Sequence, residues 1–79
     1  MSKEILMYTT STCPFCIGAK SWLTERGHAF QEVSLNDATA RTKFKEDHPG
    51  LNTVPQIFVD GELLGGFREL QEKGDAALV

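Results

Sequence analysis

Two segments with a helical pattern separate the first three extended segments of the chain, and this alternation restricts the possible folds more than any other feature. An apolar run at 5–8 predicts a buried strand, and a helical pattern starts at about Pro14 and ends before Gly27. A second strand is predicted over 29–35 and a second helix over 38–48, capped by Asn36 or Asp37. Because helical crossovers connect parallel strands, we expect a sheet that begins parallel.

The last third of the chain predicts a hairpin and a short final helix. Apolar residues at 56–59 and 62–64 flank the dipeptide Asp60-Gly61, which is typical of a type I′ turn. Gly65-Gly66 then interrupts the chain before a helix over about 67–73. The order β-α-β-α-β-β-α predicts an α/β fold with a four-stranded mixed sheet and three helices.

Length and charge exclude several classes of protein. A chain of 79 residues predicts one domain, spanning 1–79, and a net charge of −3 offers no attraction to nucleic acid or to anionic membranes. The N-terminal residues lead into only a short apolar run, so we expect neither a signal peptide nor a membrane span. The expected location is the cytoplasm, and the expected state is a monomer.

The stretch Thr12-Cys13-Pro14-Phe15-Cys16 contains both cysteines of the chain, two residues apart. Structural zinc needs about four ligands, and His28 and His48 have no ligand spacing to each other or to the pair. A structural disulfide across so short a loop would constrain little chain entropy, and a reducing compartment disfavours it. The pattern therefore favours a redox pair over either alternative.

Position along the predicted helix gives the two cysteines different roles. Cys13 lies at the first turn, where unpaired N–H groups and the positive end of the helix dipole stabilise a thiolate. Cys16 follows about one turn later and further inside, where it can attack a mixed disulfide formed on Cys13. Cys13 is thus the expected nucleophile and Cys16 the expected resolving thiol. Pro14 limits the backbone between them.

The sequence resembles glutaredoxins of the small dithiol type, which have a thioredoxin-like fold, along nearly its whole length. CPFC differs from the common glutaredoxin motif CPYC only by the missing phenol oxygen at Phe15. The matching residues are Met7-Tyr8-Thr9, Thr12-Cys13-Pro14-Phe15-Cys16, Lys20, Leu23, Thr53-Val54-Pro55-Gln56-Ile57-Phe58-Val59, Asp60-Gly61 and Gly65-Gly66. The resemblance implies thiol–disulfide exchange with glutathione as co-substrate, without a permanently bound cofactor or a metal.

The resemblance also implies where glutathione binds. It places Pro55 in the cis form beside the cysteines, so that the Val54 backbone pairs with an extended thiol peptide. The γ-glutamyl end would lie near the Gly-Gly turn, where the N-terminus of the last helix offers N–H groups to a carboxylate. The implied glutathione-binding residues are Phe15, Thr53, Val54, Pro55, Gly66, Phe67 and Arg68.

Two departures from the glutaredoxin pattern leave alternatives open. Thr10 stands where many relatives have a lysine, and Gly66-Phe67-Arg68 resembles the redoxins dedicated to ribonucleotide reductase, which thioredoxin reductase reduces. The CxQC-type sites of those redoxins do not match CPFC. A third reading is an iron–sulfur carrier bridged by glutathione, against which Pro14 argues. We expect a glutathione-dependent reductase of protein disulfides and glutathione mixed disulfides, with ribonucleotide reductase as one target.

Several other residues are expected to be structural. Lys20 adds positive potential near the site or is a solvated helix lysine, and Arg41 reaches a glutathione carboxylate or is likewise solvated. Phe15 is expected to be exposed, as a contact for an incoming peptide, rather than buried in the core. The residues expected in the core are Tyr8, Trp22, Phe44 and Phe58.

Overall fold

The computed structural model describes residues 3–51 and 53–77 of the chain. The domain expected over 1–79 therefore includes residues 1, 2, 52, 78 and 79, which lie outside the described part. The predicted element order, four-stranded mixed sheet and three helices are confirmed. The elements are β1 (Ile5–Thr9), α1 (Pro14–Glu25), β2 (Gln31–Ser34), α2 (Ala38–Asp47), β3 (Gln56–Val59), β4 (Glu62–Gly65) and α3 (Phe67–Ala77).

The sheet has the strand order β2-β1-β3-β4, and its first pair is parallel as expected. β1 then pairs antiparallel with β3, and β3 pairs antiparallel with β4. Tyr8 lies opposite Gln56, and Ile57 lies opposite Gly65. The end of β1, the start of β3 and the end of β4 therefore meet at one edge of the sheet, which gathers three loops that are distant in sequence.

Side chains alternate between the two faces of the sheet and build a core on each. On one face, buried residues of β1 and β3 pack with α1 and α3; this cluster consists of Ile5, Met7, Ala19, Trp22, Leu23, Ile57, Val59 and Leu70. On the other face, Leu35, Phe44 and Phe58 form a smaller cluster with α2. The partly buried ring of Tyr8 packs there, 4.6 Å from that of Phe44. Trp22, Phe44 and Phe58 are thus core residues, as predicted.

Local hydrogen bonds fix the predicted boundaries of two elements. Asp37, one of the two candidate caps, is the N-cap of α2, and its carboxylate accepts from the Ala40 N–H at 3.0 Å. Asp60 and Gly61 have φ angles of 51° and 84°, the left-handed values that both central residues of a type I′ turn require. The hairpin turn is therefore as predicted.

Several boundaries differ from the prediction by one or more residues. β1 includes Thr9, and β2 begins at Gln31 because its pairing with β1 starts there. α3 continues to Ala77, past the predicted end at residue 73, with Gly74 inside the helix. A Cβ at Gly74 would lie 2.6 Å from Cη2 of Trp22, so the missing side chain makes room for the indole of α1. Packing between helices thus outweighs the low helix propensity of glycine.

No helix among the described residues is long and apolar enough to cross a bilayer.

Gly74→Ala is expected to destabilise the fold by about 1–3 kcal/mol, although Gly→Ala inside a helix ordinarily stabilises by up to about 1 kcal/mol. The added methyl group would lie 2.6 Å from Cη2 of Trp22, so the indole has to move. It would also lie 3.1 Å from Cδ1 of Leu70. Urea unfolding followed by tryptophan fluorescence measures the change. Gly50→Ala is the matched control, because nothing lies within 4 Å of a Cβ at that position. Equal stability of both variants would contradict the packing argument.

Candidate active site

The Cys13 side chain begins the first helix. Cys13 is the N-cap of α1, with an extended backbone (φ −99°, ψ 109°), and Pro14 follows in the first turn. Its Sγ accepts a hydrogen bond from the Cys16 N–H at 3.2 Å. That N–H is one of the groups that a helix N-terminus leaves without an intrahelical partner. One interaction therefore starts the helix and holds the sulfur at its positive end.

The loop before β3 lies directly against Cys13. The Cys13 thiol donates to the Val54 carbonyl oxygen, with sulfur and oxygen 3.5 Å apart. The Val54–Pro55 bond is cis, as the resemblance implies. Cys13 is buried but keeps 9% exposure, whereas Cys16 keeps none.

Cys16 lies in a different environment from Cys13, although both are thiols. Its side chain is 0% exposed. Burial, followed by a hydrogen bond with the Cys13 side chain, raises the pKa of the Cys16 thiol to about 11; a hydrogen bond with the Thr10 backbone and the charge of Lys20 offset part of this rise. Cys16 is therefore protonated at neutral pH. The two thiols of the motif are chemically unequal.

All seven residues that the resemblance implies for glutathione line one groove beside Cys13. The groove has a volume of about 260 Å³, and Glu69 and Gln71 also line it. The seven are Phe15, Thr53, Val54, Pro55, Gly66, Phe67 and Arg68. Phe15 is 64% exposed, in agreement with the expected exposure. The three loops that meet at the sheet edge supply most of these walls.

A second recess of about 280 Å³ shares Thr53 and Val54 with this groove and extends toward α2. Arg41 and Lys45 both line it. Nη1 of Arg41 donates to the carbonyl oxygens of Leu35 and Asn36 at 3.1 and 2.9 Å, so the guanidinium also holds the loop after β2. The sequence analysis gave Lys45 no role. Its spacing of four residues from Arg41, which places both on one helix face, was the available signal.

Lys20 is held in place beside the site rather than simply solvated. Its Nζ lies 2.7 Å from Oε2 of Glu32 on β2, and the buried Thr9 hydroxyl donates to the same oxygen at 2.5 Å. The hydrogen bond from Lys20, and then the one from Thr9, lower the pKa of the Glu32 carboxyl. The carboxylate thus remains ionised at neutral pH and keeps the ammonium group in place.

Comparison with known proteins identifies the type of site. A family model described as Glutaredoxin matches residues 5–64, which include both cysteines and the Val54–Pro55 loop. The chain belongs to the glutaredoxin family. It is 39% identical over 67 residues to glutaredoxin 3 of Escherichia coli (strain K12), covering 85% of this chain and 81% of that protein.

Solved structures agree with this assignment. The crystal structure of glutaredoxin 1 from Francisella tularensis, complexed with cacodylate, has a TM-score of 0.79 and 39% identity, covering 92% of this chain and 93% of that one. The solution structure of glutaredoxin from Brucella melitensis has a TM-score of 0.75 and 32% identity, covering 94% and 80% respectively. The fold is therefore the thioredoxin-like glutaredoxin fold, and the protein is a thiol–disulfide oxidoreductase.

The surface beside the cysteines of this glutaredoxin is partly apolar. Ile17 is 62% exposed and lies one residue after Cys16, so two exposed apolar side chains, Phe15 and Ile17, flank the buried thiol along α1. Ile17 was not predicted from the sequence to lie beside the site, although its spacing of three and seven residues from Lys20 and Thr24 places it on the polar side of α1. Among the described residues, no group of three or more His, Cys, Asp or Glu side chains could hold a metal ion.

The raised pKa of Cys16 predicts selective alkylation in this glutaredoxin. A pKa near 11 instead of the ordinary 9.0 leaves about a hundredfold less thiolate at neutral pH. Iodoacetamide should therefore modify Cys13 first and Cys16 far more slowly, with the Cys16 rate rising steadily up to strongly alkaline pH. Peptide mass spectrometry of timed samples measures both rates, with a denatured sample as control. Equal labelling of both native thiols would contradict the assignment.

Proposed function

We propose that this glutaredoxin is a glutathione-dependent thiol–disulfide oxidoreductase that reduces protein disulfides and glutathione mixed disulfides. The observation that carries the proposal is the position of the Cys13 thiol, at the N-terminus of α1 and against the Val54 carbonyl. The sulfur therefore lies beside a groove with room for an extended peptide.

In the first step, the Cys13 thiolate attacks one sulfur of the substrate disulfide. A bond forms between that sulfur and Sγ of Cys13, and the other substrate sulfur leaves with the electron pair and takes up a proton from water. The Cys16 N–H supports the charge on Sγ before the attack, since it already points at the sulfur from 3.2 Å.

In the second step, Cys16 resolves a mixed disulfide with a protein. Its Sγ attacks Sγ of Cys13, the two cysteines form a disulfide, and the protein leaves as a thiol. Two glutathione molecules then restore the dithiol. The first attacks Sγ of Cys13, which breaks the Cys13–Cys16 bond and releases Cys16 as a thiol. The second attacks the glutathione sulfur of this mixed disulfide, which yields oxidised glutathione and releases Cys13 as a thiol.

The groove beside Cys13 suits the cysteinyl and γ-glutamyl parts of glutathione. The Val54 backbone pairs with the extended peptide, as in strand addition, and Thr53 and Pro55 form the adjoining wall. Gly66, Phe67 and Arg68 place the N-terminus of α3 at the far end, where N–H groups bind the γ-glutamyl carboxylate. Phe15 forms the exposed side of the groove.

The recess toward α2 suits the glycyl carboxylate. The charge that many relatives supply from the position of Thr10 is missing in this chain, and Lys45 and Arg41 bring positive charge to the same recess from α2. We propose that these two cations take over that role, with Lys45 as the main contact because Arg41 also holds two backbone carbonyls.

The remaining parts of the proposal concern the context of the reaction. The chain acts as one domain over 1–79, in the cytoplasm and as a monomer, without a permanently bound cofactor. The exposed side chains of Phe15 and Ile17 beside the cysteines support docking of a protein disulfide. Ribonucleotide reductase is one such target, since it needs an external dithiol after each turnover.

Recycling assays with two alternative reductants test the proposal. We expect NADPH oxidation with glutathione and glutathione reductase, and none with thioredoxin reductase. Cys13→Ser should abolish activity on both protein disulfides and glutathione mixed disulfides. Cys16→Ser should keep the glutathionyl exchange and lose most of the reduction of protein disulfides, because the resolving thiol is needed only for the latter.

Other outcomes would replace the proposal. Activity with thioredoxin reductase alone would assign the chain to the redoxin class suggested by Gly66-Phe67-Arg68. An anaerobically purified protein with visible absorption would indicate an iron–sulfur carrier.

Lys45→Gln is expected to raise the KM for glutathione about two- to fivefold and to leave kcat unchanged, because it removes an exposed charge that contacts only the peptide end. Steady-state kinetics with a glutathione mixed disulfide and varied glutathione measure this. The control is Lys43→Gln, which removes the same charge from an exposed position of α2 outside the recess. An equal change in KM for both variants would contradict a specific role of Lys45.

A further inference from the structure

The resolving step requires a buried thiol to lose its proton. The side chain of Cys16, in the first turn of α1, is fully buried, and the pKa of its thiol lies near 11. A nearby fixed positive charge would lower the free energy of forming this thiolate.

Lys20 occupies the required position. It follows Cys16 by four residues in α1, so the two side chains lie on the same helix face, one turn apart. Lys20 is anchored from the sheet: its Nζ contacts Oε2 of Glu32, which lies opposite Met7 on the face of the sheet that α1 covers. Its ammonium group is thus held between the helix and the edge of the sheet.

The end of β1 links this anchor to Cys16. The Thr9 hydroxyl donates to the same Glu32 oxygen that contacts Lys20, and Thr9 is buried. The backbone of Thr10, the residue that follows β1, lowers the pKa of the Cys16 thiol. The end of β1 therefore lies close to both the counter-ion of Lys20 and the thiol.

We propose that Lys20, anchored by Glu32 and Thr9, is a positioning residue for the resolving step: its ammonium group stabilises the Cys16 thiolate as it forms. The inference deepens the proposed function and rests on its division of roles between Cys13 and Cys16. In the step concerned, the proton of Cys16 passes to water, Sγ of Cys16 bonds to Sγ of Cys13, and the departing substrate thiolate takes up a proton.

The groups around Cys16 act in opposite directions. On α1, Cys13 disfavours a second negative charge nearby, whereas Lys20 favours it. On β2, Glu32 is negative but is bound to Lys20 and Thr9, so its charge is largely matched. Lys20 and Glu32 are each 36% exposed, and water therefore screens the effect. Lys20 therefore accelerates the resolving step moderately and is not essential for it.

The expected size follows from the balance between ionisation and nucleophilicity. Lys20 lowers the pKa of the Cys16 thiol and so raises the thiolate fraction at neutral pH. The lower basicity reduces the nucleophilicity of the thiolate, which leaves a net gain of about threefold in rate.

A chromogenic aromatic disulfide separates the two steps in a stopped-flow experiment with the full chain. Attack by Cys13 releases the first aromatic thiolate, and attack by Cys16 releases the second. Lys20→Gln should slow the second phase about threefold at neutral pH and leave the first unchanged. Its pH profile should move to higher pH, whereas loss of fold stability alone would not shift it. Lys20→Arg should restore most of the rate.

Lys73→Gln is the matched control, because it removes an exposed lysine from the later part of α3, away from the cysteines in sequence and groove. It should leave both phases unchanged. A second phase in Lys20→Gln with the rate and pH profile of the unmodified protein would overturn the inference. An equal slowing of both phases would also overturn it.

Cys16→Ser distinguishes failure of the inference from failure of the proposed function. That variant should release only the first aromatic thiolate; two releases would refute the assigned role of Cys16 itself. A second measurement uses the Cys13→Ser background, in which thiolate absorbance reports Cys16 directly. Lys20→Gln should raise the midpoint of that titration, and an unchanged midpoint would again contradict the role of Lys20.

Discussion

The packing of α1 and α3 on one face of the sheet is the constraint on which the active site depends. Met7 and Ile57 from neighbouring strands, Leu23 from α1 and Leu70 from α3 are all fully buried there. Because this cluster fixes both helices against the same strands, their N-termini lie at the edge where β1 ends and β3 begins. Phe15 in the first turn of α1 and the residues at the start of α3 thereby line one groove.

Glycine provides close contact at two points of this packing. A Cβ at Gly18 in α1 would lie 2.7 Å from the ring of Phe67, and one at Gly74 in α3 would meet Trp22. At each of these two points, an aromatic ring of one helix packs directly against the backbone of the other helix. The two helices can therefore approach each other closely. The ring of Phe67, a wall of the groove, is positioned by the same contact that joins the helices.

Both thiols of the site are buried, but Cys13 keeps 9% exposure and Cys16 keeps none, and the fold produces this difference over one helical turn. Cys13 accepts a backbone hydrogen bond at the helix N-terminus, whereas Cys16 points into the core, where burial raises its pKa. A thiol that stays protonated until it is needed is protected from competing oxidation. The Lys20–Glu32 pair would then reduce the cost of ionising Cys16 without exposing it.

The sequence by itself determined the element order, the hairpin turn and the different positions of the two cysteines along α1. These features depend on residues within a few positions of one another: hydrophobic periodicity, Asp60-Gly61, and a cysteine just before Pro14. The motif at 53–59 and the Gly-Gly turn also identified the family through resemblance. Most of the fold was therefore predictable.

Only the tertiary structure decided which charges and surfaces surround the thiols. Lys45 beside the groove, the exposed Ile17, the anchoring of Lys20 by Glu32 and Thr9, and the length of α3 were not predicted. These features depend on groups distant in sequence; Thr9 and Glu32, for example, are 23 residues apart. Sheet pairing and helix packing create such contacts, and the contacts decide which groups are buried and which charges are paired. Hydrophobic periodicity indicates only which side of an element is apolar.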